Sequence, residues 1–201
     1  MKRKKRILAL APHTDDVELG CGGTLNKFRR RGYEIDVVAL SSPEDKPQIE
    51  IEFAHSMGSQ GFRHELRGYK VRNFTASRQE ILEDLVELSR RKNYDIVFCP
   101  STDDRHQDHE VVANETFRAF KDTSIWGYEL PWNHREFKSD IFVALSPENL
   151  EAKMKSLAKY ISQRNRPYFS KEVMESLART RGIQIGRLYA EAFENIRTVV
   201  G

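Results

Sequence analysis

The segment Ile7-Leu8-Ala9-Leu10-Ala11-Pro12-His13-Thr14-Asp15-Asp16-Val17-Glu18-Leu19-Gly20-Cys21-Gly22-Gly23 opens with five consecutive apolar residues and closes in a glycine-rich run. Between them stand an imidazole and two carboxylates. An unbroken apolar run of that length suits a strand buried on both faces, as in parallel sheets covered by helices. It stops at Pro12, too soon for the apolar region of a signal peptide or for a membrane span, despite the basic residues Lys2, Arg3, Lys4, Lys5 and Arg6 before it.

Runs of the same character occupy residues 35–40 and 96–100, and shorter ones at 125–128 and 141–143 are expected to extend the sheet. Segments of helical period lie between them. Ser77 with Glu80 three residues on reads as a capping box, followed by an apolar face of Ile81, Leu82, Leu85, Val86 and Leu88. Ser146-Pro147 opens a second helix with Leu150, Met154, Leu157, Ala158 and Ile161 on its buried face, and Ser170 and Gly182 bracket a third. This alternation predicts an α/β fold with a doubly wound, mostly parallel sheet. Residues 1–201 are expected to form one domain, with 1–6 a solvated basic tail and the chain beyond about residue 146 an appendage packed on the sheet.

The chain has 201 residues, 39% of them apolar, with 33 basic and 30 acidic residues. That excludes a disordered or fibrous protein. A chain this long buries roughly 70% of its unfolded surface, so a core needs neither disulfides nor a structural metal, and any metal would be functional. The net charge of +3 comes from the amino-terminal run; without it 28 basic residues face 30 acidic ones, which argues against nucleic-acid binding by the body. Cys21 and Cys99 lack Cys-x-x-Cys spacing and suit unpaired core residues in a reducing cytoplasm.

In open α/β sheets, sites form at the carboxyl edge of the strands. His13, Asp15 and Asp16 follow the first predicted strand, and burying them requires a partner such as a cation. The plain alternative is a solvated loop in which an Asp caps the next helix. A second cluster, Asp103-Asp104-Arg105-His106-Gln107-Asp108-His109, follows the run at 96–100, and its histidines share a face if a helix has begun. Brought side by side, the clusters supply three or four nitrogen and oxygen ligands. An open zinc site takes three protein ligands, a set that His13, Asp16 and His109 would provide. Asp15 would then remain to take a proton from a metal-activated water, and His106 to stabilise an oxyanion. The glycines at 20–23 are not a dinucleotide fingerprint, since Leu25 stands at the last glycine position; they are expected to let the loop and helix start approach the metal site.

Pro-His-Thr-Asp-Asp with its Gly-Cys-Gly-Gly, and Asp-x-His-x-Asp-His, resemble the two signature motifs of the LmbE-like (PIG-L) N-deacetylases. The resemblance extends through residues 160–163 and 178–194, including Gly182, Tyr189, Ala190 and Glu191. It implies a Rossmann-like sheet, a zinc ion, and removal of acetyl from N-acetylglucosamine-type groups. Carried over by motif position, His13, Asp16 and His109 correspond to the metal ligands, Asp15 to the general base and His106 to the oxyanion-stabilising histidine, with Asp108 orienting an imidazole. It also implies a homo-oligomer. The departure is Thr14, where the family usually has proline.

The run Tyr128-Glu129-Leu130-Pro131-Trp132-Asn133-His134 mixes stacking and hydrogen-bonding groups, and Tyr128, Glu129, Trp132 and Asn133 are expected to contact a sugar. Arg72 and Arg78 are candidates for meeting a phosphate or carboxylate, Arg78 because it follows the helix cap; the plain alternative, favoured for a single arginine, is a surface charge. His55 and His64 have no partner cluster and read as surface or packing residues. The expected cofactor is Zn2+, with Fe2+ or another divalent metal compatible with the same ligands. The expected partner is a small N-acetylated sugar or glycoconjugate, without nucleic acid or membrane insertion. Two other readings compete: a metallo-phosphoesterase, and a non-enzymatic metal-containing nucleic-acid binder that uses the basic tail.

Overall fold

The computed structural model describes residues 3–200; Lys2 of the predicted tail lies outside them. The elements run β1 (Arg6–His13), α1 (Asp16–Arg30), β2 (Glu34–Ser41), α2 (Gln48–Gln60), β3 (Arg63–Leu66), α3 (Arg78–Arg91) and β4 (Ile96–Pro100). They continue with α4 (Gln107–Ala119), β5 (Ser124–Tyr128), β6 (Ile141–Leu145), α5 (Pro147–Leu157), α6 (Lys171–Ile183) and β7 (Tyr189–Arg197). One seven-stranded sheet has the order β3-β2-β1-β4-β5-β7-β6. β1 to β5 are mutually parallel, and β7 alone runs against its neighbours. The α/β, mostly parallel fold expected from the apolar runs is the one observed.

β1 shows why those runs lack alternation. Ile7, Ala9 and Ala11 point into a core shared with α1, α2, α5 and α6, while Leu8 and Leu10 point into a second core beneath α3 and α4. Both faces are covered, so every position is apolar. The glycines of α1 let the helix lie close to the sheet: a Cβ on Gly20 would fall 2.4 Å from the Tyr128 ring. The expectation that they approach the metal site is therefore corrected: Gly20 and Gly23 meet residues of β5, β6 and β7, and Gly22 meets Lys153 of α5.

Four further expectations change. Ser77 precedes α3 but makes no capping hydrogen bond with its side chain. The true capping box is at Ser146, closed by Asn149. The residues beyond 146 are no appendage, because β7 is inserted between β5 and β6 and completes the sheet. The solvated tail is shorter than 1–6: Arg3 pairs with Asp95 at 2.8 Å, and Arg6 opens β1 and pairs with Glu34 at 3.0 Å. Both cysteines are buried and free. No helix among the described residues is long and apolar enough to cross a membrane.

Candidate metal centre

From β1 the chain moves outward through β2 and β3, then returns to β4 on the other side of β1. The carboxyl ends of β1 and β4 therefore lead away in opposite directions and leave a crevice between them. His13 ends β1, Asp15 immediately precedes α1, and Asp16 is its first residue. Across the crevice, the loop after β4 delivers Asp104, and α4 begins with His106 as its N-cap, so that Asp108 and His109 lie in its first turn.

Three atoms converge there. His13 Nδ1 lies 3.1 Å from Asp16 Oδ2 and 3.2 Å from His109 Nε2, and His109 Nε2 lies 3.3 Å from Asp16 Oδ2. Tetrahedral zinc with ligands at about 2.0–2.1 Å has ligand-to-ligand edges of about 3.3 Å. The triangle therefore has the size of one face of such a site. The ring nitrogens of His13, His106 and His109 also gather, within 4.8 Å of one another. That spacing is looser than one coordination sphere requires, and His106 spends its Nδ1 accepting the backbone N–H of Asp108 at 3.2 Å. The two-histidine, one-carboxylate set fits a small divalent cation better.

Each histidine of that set has a carboxylate behind it. Asp108 Oδ2 lies 3.1 Å from His13 Nε2, leaving Nδ1 to face the crevice, and Asp104 Oδ2 lies 2.7 Å from His109 Nδ1, leaving Nε2. Carboxylates so placed fix ring orientation and tautomer in metal-binding histidines. Asp104 stood in the quoted cluster without a role; its separation of five residues from His109 across a helix start hid the contact. Asp108 does more than orient an imidazole. It also accepts the backbone N–H groups of Arg72 at 2.6 Å and Phe74 at 3.2 Å, pinning the loop ahead of α3. Arg72 takes a left-handed backbone, φ 62°, to deliver that N–H, a conformation that is costly for a residue with a Cβ.

The electrostatics follow from this packing. Burial works against charge on His13 and His109, yet Asp16, helped by Asp108 at His13 and Asp104 at His109, raises them to about 9 and about 10. Burial also opposes ionisation of Asp16, but the two imidazoles hold its carboxyl well below the usual carboxylate range. Asp15 behaves oppositely: burial, then the charge of Asp16, lifts it to about 6 against the pull of His13 and Arg166. Its side chain does not cap α1, so the solvated-cap alternative does not describe it. For His106, burial and the neighbouring imidazoles lower the value to about 4. The ring is thus neutral, and with Nδ1 accepting from Asp108 it carries its hydrogen on Nε2.

These groups line a cavity of about 270 Å³. Of the five predicted substrate-binding residues, Arg78, Tyr128, Glu129, Trp132 and Asn133, the last two are on its wall, in a 3₁₀ turn at Pro131–Asn133. Three others are displaced. Tyr128 is fully buried and donates to Leu10 O at 3.0 Å, as a core residue under α1. Glu129 points away from the cavity to Arg181, which donates to it through Nε at 2.9 Å and a second nitrogen. Arg78 lies outside the cavity and pairs with Glu115 of α4. Side chains alternate across a strand and its extension, so a run of polar and aromatic residues at a strand end cannot all face one site. Gln163, Arg166 and Tyr168 also line the cavity, brought in by the loop between α5 and α6; Gln163 ends the 160–163 stretch of the resemblance, which gave it no role, and no motif marks Arg166 or Tyr168. Thr14 is buried in the proline position, and its carbonyl accepts the Tyr160 hydroxyl at 2.6 Å. His55 and His64 lie outside the cavity and are exposed, the latter edge-on to Phe53.

Known proteins resemble this chain in sequence and in fold. An uncharacterised deacetylase of Escherichia coli (strain K12), YaiS, is 25% identical over 177 residues, covering 80% of this chain and 92% of that protein. The conserved protein TT1542 of Thermus thermophilus superposes with a TM-score of 0.81 at 24% identity, covering 97% of this chain and 96% of the other. An N,N′-diacetylchitobiose deacetylase of Pyrococcus horikoshii gives a TM-score of 0.79 at 21% identity, over 94% of this chain and 83% of that one. A family model described as PIG-L, GlcNAc-PI de-N-acetylase, matches residues 8–120, which include both strand-end clusters. More than half of the chain is thus accounted for by one family, and the protein belongs to it: it is a member of the PIG-L family.

Proposed function

We propose that the chain is a metal-dependent N-deacetylase that removes the acetyl group of an N-acetylglucosamine-type sugar or glycoconjugate. The observation that carries this reading is the 3.1–3.3 Å triangle of His13 Nδ1, Asp16 Oδ2 and His109 Nε2, with a carboxylate and an imidazole beside it that the triangle does not use. Family membership and the deacetylases among its relatives support the same reaction class.

His13, Asp16 and His109 would hold the cation, zinc or another divalent metal, which lowers the pKa of water and polarises a carbonyl when bound. Asp15 takes a proton from the water that attacks the acetamide carbon. Burial suits it to this, because a carboxylate lifted to about 6 is a stronger base than an exposed one and still ionised at neutral pH. The neutral His106 donates its Nε2 hydrogen to the carbonyl oxygen as negative charge develops there. Asp15 then passes its proton to the nitrogen as the C–N bond breaks, leaving acetate and a free amine. Asp108 and Asp104 hold His13 and His109 in register throughout. Trp132 and Asn133 border the place where the sugar must lie. The two free, buried cysteines favour a reducing, cytoplasmic setting.

The test separates base from ligand. Asp15→Ala is expected to retain about one metal per chain while acetate release from an N-acetylated sugar falls on the order of 10²–10⁴-fold. His109→Ala is expected to lose metal and turnover together. Full activity in Asp15→Ala would sink the assignment. Two metals per chain, with phosphate-ester hydrolysis, would favour a metallo-phosphoesterase instead.

A further inference from the structure

Four groups of the centre each have a partner that sets their direction. His13 has Asp108, His109 has Asp104, Asp16 accepts the backbone N–H of His13 at 2.8 Å, and His106 accepts that of Asp108. Asp15 is the exception. Among the described residues no other side chain donates to its carboxyl, and it does not cap α1. Its place is therefore set by its backbone. The Asp15 carbonyl accepts the Leu19 N–H at 3.1 Å and so belongs to the helix, whereas the Thr14 carbonyl, one residue earlier, lies outside the helical ladder. That carbonyl is held by Tyr160, whose hydroxyl donates to it at 2.6 Å.

The same hydroxyl lies 2.7 Å from Oε1 of Glu18, in the first turn of α1, and that oxygen also accepts the Ser56 hydroxyl of α2 at 2.5 Å. One phenol thus spans the chain on both sides of Asp15, from residue 14 to residue 18. The turn Ile161–Gln163 that follows Tyr160 is itself tied to α2, where Glu52 accepts the backbone N–H of Ser162 at 2.9 Å and its hydroxyl at 2.6 Å. Tyr160 and Glu18 are each 1% exposed, too deep to meet a substrate. Among the described residues no cation lies within 4.0 Å of Glu18, and its Oε2 has no hydrogen-bond partner. A half-satisfied buried carboxyl is a costly way to stabilise a core; here it fixes a hydroxyl beside a reacting group. We propose that Tyr160 is a positioning residue for Asp15: by bridging the Thr14 carbonyl and Glu18 it fixes the backbone from which the Asp15 carboxyl reaches the cavity. This inference rests on the deacetylase reading, in which Asp15 is the base. A base must stand within hydrogen-bond reach of the proton it removes, so a displacement of about 1 Å lowers turnover on the order of tenfold or more and leaves substrate binding intact. The metal-ligand set, oriented by its own partners, does not depend on the bridge.

The experiment compares Tyr160→Phe with Tyr128→Phe. Each removes one buried hydroxyl that donates to a backbone carbonyl, Thr14 O in the first and Leu10 O in the second, and keeps the ring. Metal content, kcat and KM are measured on the metal-loaded protein with the N-acetylated sugar that the wild type hydrolyses fastest, and unfolding midpoints by chemical denaturation. In Tyr160→Phe about one metal per chain is expected to remain, with kcat lowered about tenfold and KM within about twofold of wild type. Tyr128→Phe is expected to lose stability to a similar extent and keep its kcat. Wild-type kcat in Tyr160→Phe, or an equal loss of kcat in both variants, overturns the proposal while leaving the deacetylase standing. Should Tyr160→Phe not fold, Ser56→Ala decides: it frees Glu18 from α2, and kcat is expected to fall with metal retained, whereas unchanged kcat overturns the bridge. If the wild type releases no acetate from any N-acetylated sugar, the deacetylase reading fails and crystal structures decide: an Asp15 carboxyl displaced by about 0.5 Å or more in Tyr160→Phe, relative to His13 and Asp16, keeps Tyr160 as its positioning residue, and an unmoved carboxyl removes that role as well.

Discussion

Helix α1 carries two clusters of buried charge, one at its first turn and one about two turns further along, and they are built on opposite plans. At the first turn, Asp16 and its two imidazoles aim three lone-pair atoms at one point on a cavity wall. Further along, Lys153 donates to Glu191 and to Leu19 O, both at 2.7 Å, and Glu191 accepts from the backbone of Gly23 at 3.1 Å and Thr24 at 2.7 Å. Lys153 and Glu191 are 4% and 7% exposed, and their charges face only each other and the helix backbone. The second cluster is closed and has nothing left to bind. The first keeps its atoms directed at a cavity, in an arrangement compatible with a divalent cation at the point they share. Burial and charge alone do not mark a site; the direction of the unspent lone pairs does.

The closed cluster offers the largest effect. Lys153→Met strands Glu191 without its cation and is expected to lower unfolding free energy by about 3–5 kcal/mol, read by chemical denaturation, with metal content unchanged in the folded protein. Adding Glu191→Leu should recover most of that loss, because removing both charges is far cheaper than orphaning one. Loss of metal in folded Lys153→Met would erase the distinction between the clusters.

Asp104→Asn sharpens the other side. It removes the negative charge behind His109 while preserving size, and metal affinity is expected to fall about 10–100-fold, measured by competition with a chelator. Stability should change by less than in Lys153→Met. The reverse ranking would make Asp104 a structural residue rather than an orienting one.

The smallest effect belongs to a third cluster, half open, at the amino edge of the sheet. Asp36 accepts from Arg63 at 2.5 Å, Lys92 at 2.8 Å and the Tyr94 hydroxyl at 2.9 Å. Burial works to raise its pKa, but Lys92, Arg63 and Tyr94 outweigh it and hold the carboxyl below its ordinary value. A depressed folded value contributes stability above the unfolded pKa of about 3.9, and that contribution disappears as pH falls through the lower folded value. Arg63 and Lys92 are 55% and 38% exposed, so solvent screens them. The stability gap between wild type and Asp36→Asn is expected to be on the order of 1 kcal/mol at neutral pH and to close in acid. A gap that widens in acid would contradict this account.

Legibility in the sequence followed how local each cause is. β1 and β4 were readable because two-sided burial writes an unbroken apolar run, and the strand-end clusters because His13, Asp15 and Asp16, like His106, Asp108 and His109, lie within a few residues of each other. β3, with the sequence RHEL and little burial, has no apolar run to betray it. β7 escaped notice because its partners, β5 and β6, precede it by tens of residues and its ENIR end is polar. Gln163, Arg166 and Tyr168 reach the cavity only through the return of a long loop, a placement that no local spacing encodes. Tyr128 was misplaced for a related reason: an aromatic residue beside a polar run resembles a binding wall until Gly20, more than a hundred residues earlier, is found packed on its ring.

The insertion of β7 between β5 and β6 also sets an order of assembly. During synthesis β6 emerges before β7, the one strand it pairs with among the described residues, and β5 has one edge uncovered until the same strand arrives. Strands β1 to β4 and the candidate metal-centre residues on β1, α1 and α4 are complete by residue 119, yet the facing edges of β5 and β6 stay unpaired until residues 189–197 have left the ribosome. A nascent chain stalled between those points exposes the unpaired edges of β5 and β6 to other chains.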